Sequence, residues 1–228
     1  NWYEKYLQIS PNNQNSFSLL IDLQSRLNFK SINYRIKRIG DIFFSLLLLI
    51  TLAPLIVIII FFLFFLEGNP IFYSQVRTGL NSNYIKIIKF RTMVVNAEIN
   101  GPQWSVKDDK RVTFIGKLLR KFRLDELPQL LNVIKGEMSL IGPRPERPEI
   151  EIILKKNIPY YELREVIKPG LSGWAQVNYP YGASISDTEK KLSFDIYYIK
   201  HFSILLDILI LFKTIKLVLN AKGSNPIK

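Results

Sequence analysis

Two adjacent carboxylates, Asp125 and Glu126, lie at the start of a predicted helix, shortly after Arg120 and Arg123. The first turn of a helix carries unpaired N–H groups and the positive end of the helix dipole, which together attract phosphate. A carboxylate that nearby cations keep ionised can attack phosphorus and form an acyl phosphate. The alternative is that the two acids only stabilise the helix N-terminus. The pair is therefore a candidate nucleophile for phosphoryl-group transfer.

Further candidates are cations that could hold phosphate. Arg144 is the third residue of a Gly-Pro-Arg-Pro sequence, and the prolines fix the backbone around a guanidinium that can bind a diphosphate with both arms. Lys89 and Arg91 lie two residues apart and are expected on the same face of a strand. Arg111 completes the predicted substrate-binding set. The alternatives are an incidental Arg in a proline-rich turn and a solvated cationic strand.

The composition narrows the chemistry. The chain has no cysteine, so it has neither a disulfide nor a thiolate zinc site. His201 is its single histidine, so the chain has no metal site with two histidine ligands. It also cannot use a mechanism in which one histidine relays protons while other histidines bind a metal. The reaction must therefore use carboxylates, Arg, Lys, Tyr or Ser.

The net charge of +12 favours an anionic partner, and residues 68–228 alone hold 25 Lys and Arg against 15 Asp and Glu. Nucleic acid, anionic lipid and phosphorylated substrates all fit a basic chain. The sequence has no Arg/Lys-rich block and no basic stripe with interleaved aromatic residues. We therefore expect a lipid or phosphorylated partner and no nucleic acid.

Residues 42–66 form a run of 25 residues without a charge. As a helix this run is about 37 Å long, enough to cross the roughly 30 Å hydrocarbon core of a bilayer. Pro54 divides it into two halves of about 18 Å each, which suits a segment that enters the membrane and returns. Lys37 and Arg38 precede the run and further cations follow it, so both ends are expected on the cytoplasmic face. A single span and a re-entrant helix broken at Pro54 remain the two alternatives.

The remaining pattern predicts an α+β fold: a helix-rich catalytic domain with a small, mostly antiparallel sheet. We predict a strand at residues 84–93, a loop at 101–111, a helix from Leu124 that stops at Gly136, and an amphipathic helix at 205–219. The last helix could pack on the core or lie in the membrane interface, and the interface is favoured. The predicted organisation is a connector at residues 1–34 with a short helix at 17–27, a re-entrant helix at 35–67 and a catalytic domain at 68–222. Because Met occurs only at 93 and 138, the chain is expected to continue a longer upstream region.

Several of these motifs occur together in one known family. The strings are KFRTM at Lys89–Met93, DELPQLLNV at Asp125–Val133, GPRP at Gly142–Pro145, PGLSGWAQVN at Pro169–Asn178 and DIYY at Asp195–Tyr198. With them the chain resembles the bacterial sugar transferases, the monotopic phosphoglycosyl transferases that start exopolysaccharide, O-antigen and glycan assembly. The resemblance covers about residues 35–220.

This resemblance implies a ping-pong reaction. Asp125 would attack the β-phosphorus of a UDP-sugar, UMP would leave, and undecaprenyl phosphate would take the phosphosugar from the aspartyl intermediate. Glu126 would be the acid/base or metal partner, Mg²⁺ at Asp125 and Glu126 would offset phosphate charge, and Arg120 and Arg144 would clamp phosphate. The family's re-entrant helix falls on Pro54 and would seat the enzyme in the bacterial inner membrane, with its catalytic domain on the cytoplasmic face.

One difference from the family's sequence pattern bears on which sugar the donor carries. Where many members have Gly after the GWAQVN motif, this chain continues from Asn178 with Tyr-Pro-Tyr-Gly-Ala-Ser. The variant resembles the exopolysaccharide branch, whose donor is often a UDP-hexose such as UDP-glucose. The other function considered is a catalytically silent membrane anchor or scaffold with the same fold, against which the intact Asp125, Glu126 and Arg144 argue. A homo-oligomer is compatible with either.

Overall fold

A computed structural model describes residues 32–99, 101, 109–179, 182 and 184–220. The connector predicted up to residue 34, with its helix at 17–27, lies outside the described residues except for its last three positions. Most of the loop predicted at 101–111 also lies outside them.

The apolar run forms two helices with a sharp bend between them. Helix α1 spans Ile32–Thr51 and helix α2 spans Ala53–Phe62, which continues through a π-helical turn at Leu63–Glu67. The two axes differ by 59°. Pro54 lies in the first turn of α2, and because it has no N–H it cannot bond the carbonyl of Ile50. The break predicted at Pro54 is therefore present.

Length and composition limit what these helices can do in a bilayer. Within the described part of the chain, no single helix is both long and apolar enough to cross a membrane, whereas α1 and α2 meet that criterion together as a bent pair. Large apolar side chains along both helices are exposed, among them Phe43, Ile50, Val57 and Phe65. Such a surface is unusual for a protein surrounded by water alone.

Two small sheets follow. Strands β1 (Phe72–Thr78) and β2 (Tyr84–Phe90) form an antiparallel hairpin, which confirms the antiparallel prediction. The strand predicted at 84–93 ends at Phe90, three residues early. Strands β3 (Ser139–Ile141) and β4 (Gly170–Ser172) form a parallel pair that was not predicted.

Helices surround these sheets and enclose one main core. Its fully buried members include Leu130, Met138, Leu163 and Ile196, each of which contributes about 1.5–3 kcal/mol by burial. The helical segments are α3 (Phe114–Lys121), a 3₁₀ helix (Leu124–Gln129), α4 (Leu130–Lys135), α5 (Pro148–Asn157), a 3₁₀ helix (Tyr161–Val166), α6 (Trp174–Asn178), α7 (Ile185–Lys200) and α8 (Ile204–Leu219).

The helix predicted from Leu124 begins differently. Residues Leu124–Gln129 form a 3₁₀ helix, and α-helical structure starts only at Leu130. Pro128 disfavours α-helical geometry at the residue before it and donates no hydrogen bond. The predicted stop is correct, because Gly136 adopts a left-handed φ of 89° that suits glycine. The carboxylate pair therefore lies in a tight 3₁₀ turn.

Helix α8 confirms the amphipathic helix predicted at 205–219. Ser203 caps its start by accepting a hydrogen bond from the N–H of Leu206. Ile210 is fully buried, whereas Leu205 and Phe212 are exposed. The helix therefore presents one apolar side to the core and leaves another uncovered.

Helix α1 is fixed to the rest of the described chain by a group of mostly buried polar residues, here called the docking cluster: Lys37, Asp41, Ser139, Tyr198 and Asp207. Lys37 Nζ lies 2.7 Å from Asp207 Oδ2, and the Tyr198 hydroxyl donates to Asp207 Oδ1 at 2.7 Å. Ser139 Oγ donates to Asp41 Oδ2 at 2.8 Å, and the Leu140 N–H donates to Asp41 Oδ1 at 3.2 Å. Each carboxylate oxygen in the docking cluster thus has a donor.

Two arginines add contacts at the two ends of the bent pair. Arg38 donates to the carbonyls of Val133 and Ile134 at 2.6 and 2.8 Å, at the C-terminal end of α4. Arg91 donates to the carbonyls of Glu67 and Gly68 at 2.7 and 2.9 Å, where the π-helical turn ends. Both ends of the α1–α2 pair therefore contact the same domain. Lys37 and Arg38, predicted as membrane-flanking charges, bind protein groups.

Candidate active site

A cavity of about 850 Å³ lies between the hairpin, the 3₁₀ helix Leu124–Gln129 and the Gly-Pro-Arg-Pro loop. The hairpin contributes Tyr73, Gln75 and Arg77, which alternate along β1 and so share one face. The predicted site residues that line the cavity are Lys89, Arg91, Arg120, Asp125, Glu126 and Arg144.

Glu126 is held by two cations. Arg144 donates from Nη1 and Nη2 to both carboxylate oxygens of Glu126, the Nη1–Oε2 distance being 3.2 Å. Lys89 Nζ donates to Oε1 at 3.3 Å. Burial alone would raise the pKa of Glu126, but the charges of Arg144 and Lys89 and the Arg144 hydrogen bonds hold that pKa well below its usual range. Glu126 is therefore an ionised and immobilised carboxylate.

Asp125 is buried to a similar degree, with 8% of its surface exposed, yet its environment differs. Among the described residues, no side chain or backbone group donates a hydrogen bond to its carboxylate. Burial and the charge of Glu126 raise its pKa, while Lys89, Arg120 and Arg144 act in the opposite direction. A carboxylate with few partners in a cationic cavity has the properties of a nucleophile.

The pKa of Lys89 is lower than that of an ordinary lysine. Burial lowers the pKa of its ammonium group to about 8, against the raising effect of Glu126. Arg144 and Arg77 add to the lowering. Lys89 therefore remains mostly charged at neutral pH and can still lose its proton a little above it.

The other predicted cations have separate partners. Arg120 Nε donates to the Thr92 hydroxyl at 2.9 Å, and Arg91 holds the end of the π-helical turn. Arg111 binds Asp109, with Nη2 2.6 Å from Oδ2, and does not line the cavity. Lys89 and Arg91 line the same cavity, but their cationic groups bind different elements.

Other residues that line the cavity were not selected from the sequence. Gln176 and Asn178 belong to the GWAQVN motif, which singled out the segment but not these side chains. Arg77 and Arg164 are single arginines whose neighbours in the sequence form no pattern that would mark them. Only their long-range contacts identify them.

The carboxylate pair is also the predicted Mg²⁺ site. No group of three or more His, Cys, Asp or Glu side chains in the described ranges could hold a metal ion. Mg²⁺ often binds one or two carboxylates together with waters and substrate phosphates. Asp125 and Glu126 fit that mode, because the oxygens of Asp125 receive no donor from the described residues and those of Glu126 have further lone pairs.

Comparison with known proteins shows the family of this chain. Residues 32–221 match the family described as Bacterial sugar transferase. A UDP-N-acetylgalactosamine-undecaprenyl-phosphate N-acetylgalactosaminephosphotransferase of Aeromonas hydrophila is 48% identical over 155 residues, covering 68% of this chain and 37% of that protein. An undecaprenyl-phosphate glucose phosphotransferase of Komagataeibacter xylinus is 38% identical over 186 residues, covering 79% and 35%.

A shorter relative matches along most of its length. The exopolysaccharide production protein ExoY of Sinorhizobium fredii is 38% identical over 203 residues, covering 82% of this chain and 87% of that protein. The match spans only about a third of the first two relatives. The family match itself covers the bent helix pair, the cavity and α8, and on that extent the chain is a member of the bacterial sugar transferase family.

Proposed function

We propose that this protein transfers a phosphosugar from a UDP-sugar to undecaprenyl phosphate and thereby initiates exopolysaccharide or related glycan synthesis. The observation that carries the proposal is the contrast within the carboxylate pair. Glu126 is held by Arg144 and Lys89, whereas Asp125 faces the same cationic cavity without a hydrogen-bond donor among the described residues. The names of the relatives support the choice of acceptor.

The proposed chemistry has two steps. An Asp125 carboxylate oxygen forms a bond to the β-phosphorus of the donor, and the bond to the bridging oxygen breaks, so that UMP leaves with the electron pair. A phosphate oxygen of the acceptor then forms a bond to the same phosphorus, and the Asp125 carboxylate is released. Each step exchanges one P–O bond for another, so no oxidant or reductant is needed.

The cationic lining suits both steps. Phosphoryl transfer depends on positioning and on stabilising negative charge. Arg144 and Lys89 are held by Glu126, so their positions do not have to be organised when the donor binds. Arg120 and Arg123 also line the cavity. We propose that Mg²⁺, held by the carboxylate pair together with substrate phosphates, neutralises part of the diphosphate charge.

We further propose that the α1–α2 pair is re-entrant. Two observations support this: the 59° bend at Pro54, and the contacts of Arg38 and Arg91 that join both ends of the pair to one domain. A straight span would carry those ends to opposite faces. The exposed side of α8 would lie in the interface, and the catalytic domain would face the cytoplasm of a bacterial inner membrane.

The donor sugar is proposed only as a class. Relatives named for glucose transfer are 36–39% identical to this chain, whereas the Aeromonas relative named for N-acetylgalactosamine transfer is 48% identical. The candidates are therefore UDP-glucose or another UDP-hexose, and the N-acetylated UDP-hexosamines.

A donor panel tests the proposal. The chain, in membranes or vesicles with Mg²⁺, is offered UDP-glucose, UDP-galactose and UDP-N-acetylgalactosamine, each with and without undecaprenyl phosphate. Repeated turnover that releases UMP is expected only with the acceptor and with one preferred donor. Absence of UMP release with every donor, from protein that is folded, would contradict the proposal and favour the scaffold alternative.

A further inference from the structure

The loop that carries Arg144 is held along its backbone. Each of the four successive carbonyls of Pro143–Glu146 accepts a hydrogen bond from another part of the chain. The donors, in order, are the N–H of Gly170 at 2.8 Å, Arg164 Nη2 at 2.7 Å, Arg77 Nη1 at 3.1 Å and the N–H of Thr78 at 2.9 Å. The carbonyl of Arg144 itself is therefore held by the side chain of Arg164.

Arg164 is itself fully engaged. Nε donates to Asp195 Oδ2 at 3.1 Å, Nη2 lies 2.9 Å from the same oxygen, and Nη1 donates to the Tyr161 hydroxyl at 2.6 Å. Asp195 is 3% exposed and Arg164 is 9% exposed. A buried ion pair contributes little net stability compared with apolar residues of similar size. The ion pair of Arg164 and Asp195 is better explained by its hydrogen bond to the carbonyl of Arg144, which holds the loop in place.

We propose that Arg164, fixed by Asp195, is a positioning residue that sets the Arg144 guanidinium against Glu126. The inference rests on the proposed function, because it assigns a role within the same site. It also gives a role to Asp195, the first residue of the DIYY string, while Tyr198 of that string belongs to the docking cluster. A lysine in place of Arg164 keeps the charge beside Asp195, but it lacks the planar fork that reaches three partners at once.

A double-mutant cycle tests this directly. Donor kcat/KM is measured for the wild type, Arg164→Lys, Arg144→Lys and the double variant. Rates are normalised to the UMP burst that each enzyme gives without acceptor, which counts competent sites. Arg164→Lys is expected to lower kcat/KM about 10-fold in the wild type and less than about twofold in the Arg144→Lys background. Equal effects in both backgrounds would overturn the proposal.

Glu165→Gln is the matched control. Glu165 follows Arg164 in the same 3₁₀ helix, is equally buried, and binds Ser82 and Lys155 instead of the loop. Any effect of Glu165→Gln should be the same in the wild type and in the Arg144→Lys background, because it does not act through the clamp. If Arg164→Lys does not fold, Asp195→Asn takes its place in the cycle with the same expected outcome.

The division of the loss between KM and kcat supplies a readout that a purely structural role would not reproduce. Because Arg144 is proposed to clamp the diphosphate, Arg164→Lys should divide its loss between donor KM and kcat in the same proportion as Arg144→Lys. A different division in Arg164→Lys would contradict the inference. A wild type that releases no UMP would instead contradict the proposed function.

Discussion

The docking cluster and the carboxylate pair with its cations both place carboxylates beside cationic side chains. They differ in how many hydrogen-bond donors the carboxylates receive. In the docking cluster, Asp41 and Asp207 each receive a donor at both carboxylate oxygens. In the cavity, Glu126 receives donors at both oxygens, whereas Asp125 receives none from the described residues. Asp41 is as deeply buried as Asp125 and Glu126.

This difference separates a structural role from a chemical one. Buried polar groups normally find partners, because an unsatisfied one costs about 1–3 kcal/mol. A fully partnered carboxylate stabilises the fold and is a poor nucleophile. Asp125 lacks those donors among the described residues, and in the proposed mechanism the same lack leaves its oxygens free to attack phosphorus. The predictions below test whether the two groups differ as this comparison requires.

The largest expected effect is that of Asp125→Asn. It removes the charge that attacks phosphorus in the proposed mechanism, so transfer should fall by at least ~10³-fold. Burial raises the pKa of Asp125, so its contribution to stability is present below its unfolded-state pKa and is lost as the pH rises through its folded-state pKa. At neutral pH the Asn variant should therefore be at least as stable as the wild type in thermal unfolding. If Asp125→Asn kept a tenth of the wild-type rate, Asp125 could not be the nucleophile.

The second prediction is that a substitution in the docking cluster lowers stability and leaves the rate of transfer nearly unchanged. Lys37→Met leaves Asp207 and Asp41 without their buried cation, which should lower the free energy of unfolding by about 3 kcal/mol. For a chain of this size the thermal midpoint should fall by roughly 6–12 °C. The rate per folded molecule should stay within about threefold of the wild type. A large loss of rate without loss of stability would erase the distinction between the two groups.

The third prediction concerns the clamp. Arg144→Lys keeps the positive charge but loses the planar fork that meets both oxygens of Glu126. Donor kcat/KM should fall by roughly 10- to 100-fold, about 1.4–2.8 kcal/mol. An unchanged kcat/KM would mean that Arg144 is only a turn residue.

The smallest expected effect is on the pH profile. Because burial and Glu126 raise the pKa of Asp125, the acid limb of kcat/KM should lie above the usual range of an aspartate and reflect loss of its ionised form. In Glu126→Gln that limb should move to lower pH, since the neighbouring negative charge is gone. Movement in the other direction would assign the limb to a different group.

Local sequence patterns identified the carboxylate pair, Arg144, the break at Pro54 and the amphipathic helix α8, because each depends on neighbours within a few residues. They also extended β2 to residue 93 and began an α-helix at Leu124, where Pro128 imposes a 3₁₀ helix instead. Local sequence patterns could not predict contacts between residues that are far apart in the chain. The binding of Arg38 to α4 joins residues about 95 positions apart.

The contact between Arg164 and Asp195 was missed for the same reason. The DIYY string marked Asp195 but gave it no partner, and only the contacts beneath the Arg144 loop distinguish Arg164. The family resemblance implied different roles for Asp125 and Glu126, but their different hydrogen bonding was not visible in the sequence, since adjacent acids differ there only by one methylene. The difference in hydrogen bonding arises from Lys89 on the hairpin and Arg144 on the loop.

The most direct test of the account is to trap the proposed intermediate. Wild-type protein, Asp125→Asn and Asp41→Asn are incubated with the preferred UDP-sugar and no acceptor, then quenched and digested for peptide mass spectrometry. The account predicts a phosphosugar on the peptide containing Asp125 in the wild type and in Asp41→Asn, with one UMP released for each adduct, and no adduct in Asp125→Asn. An adduct that persists in Asp125→Asn, or one found on another residue, would contradict it.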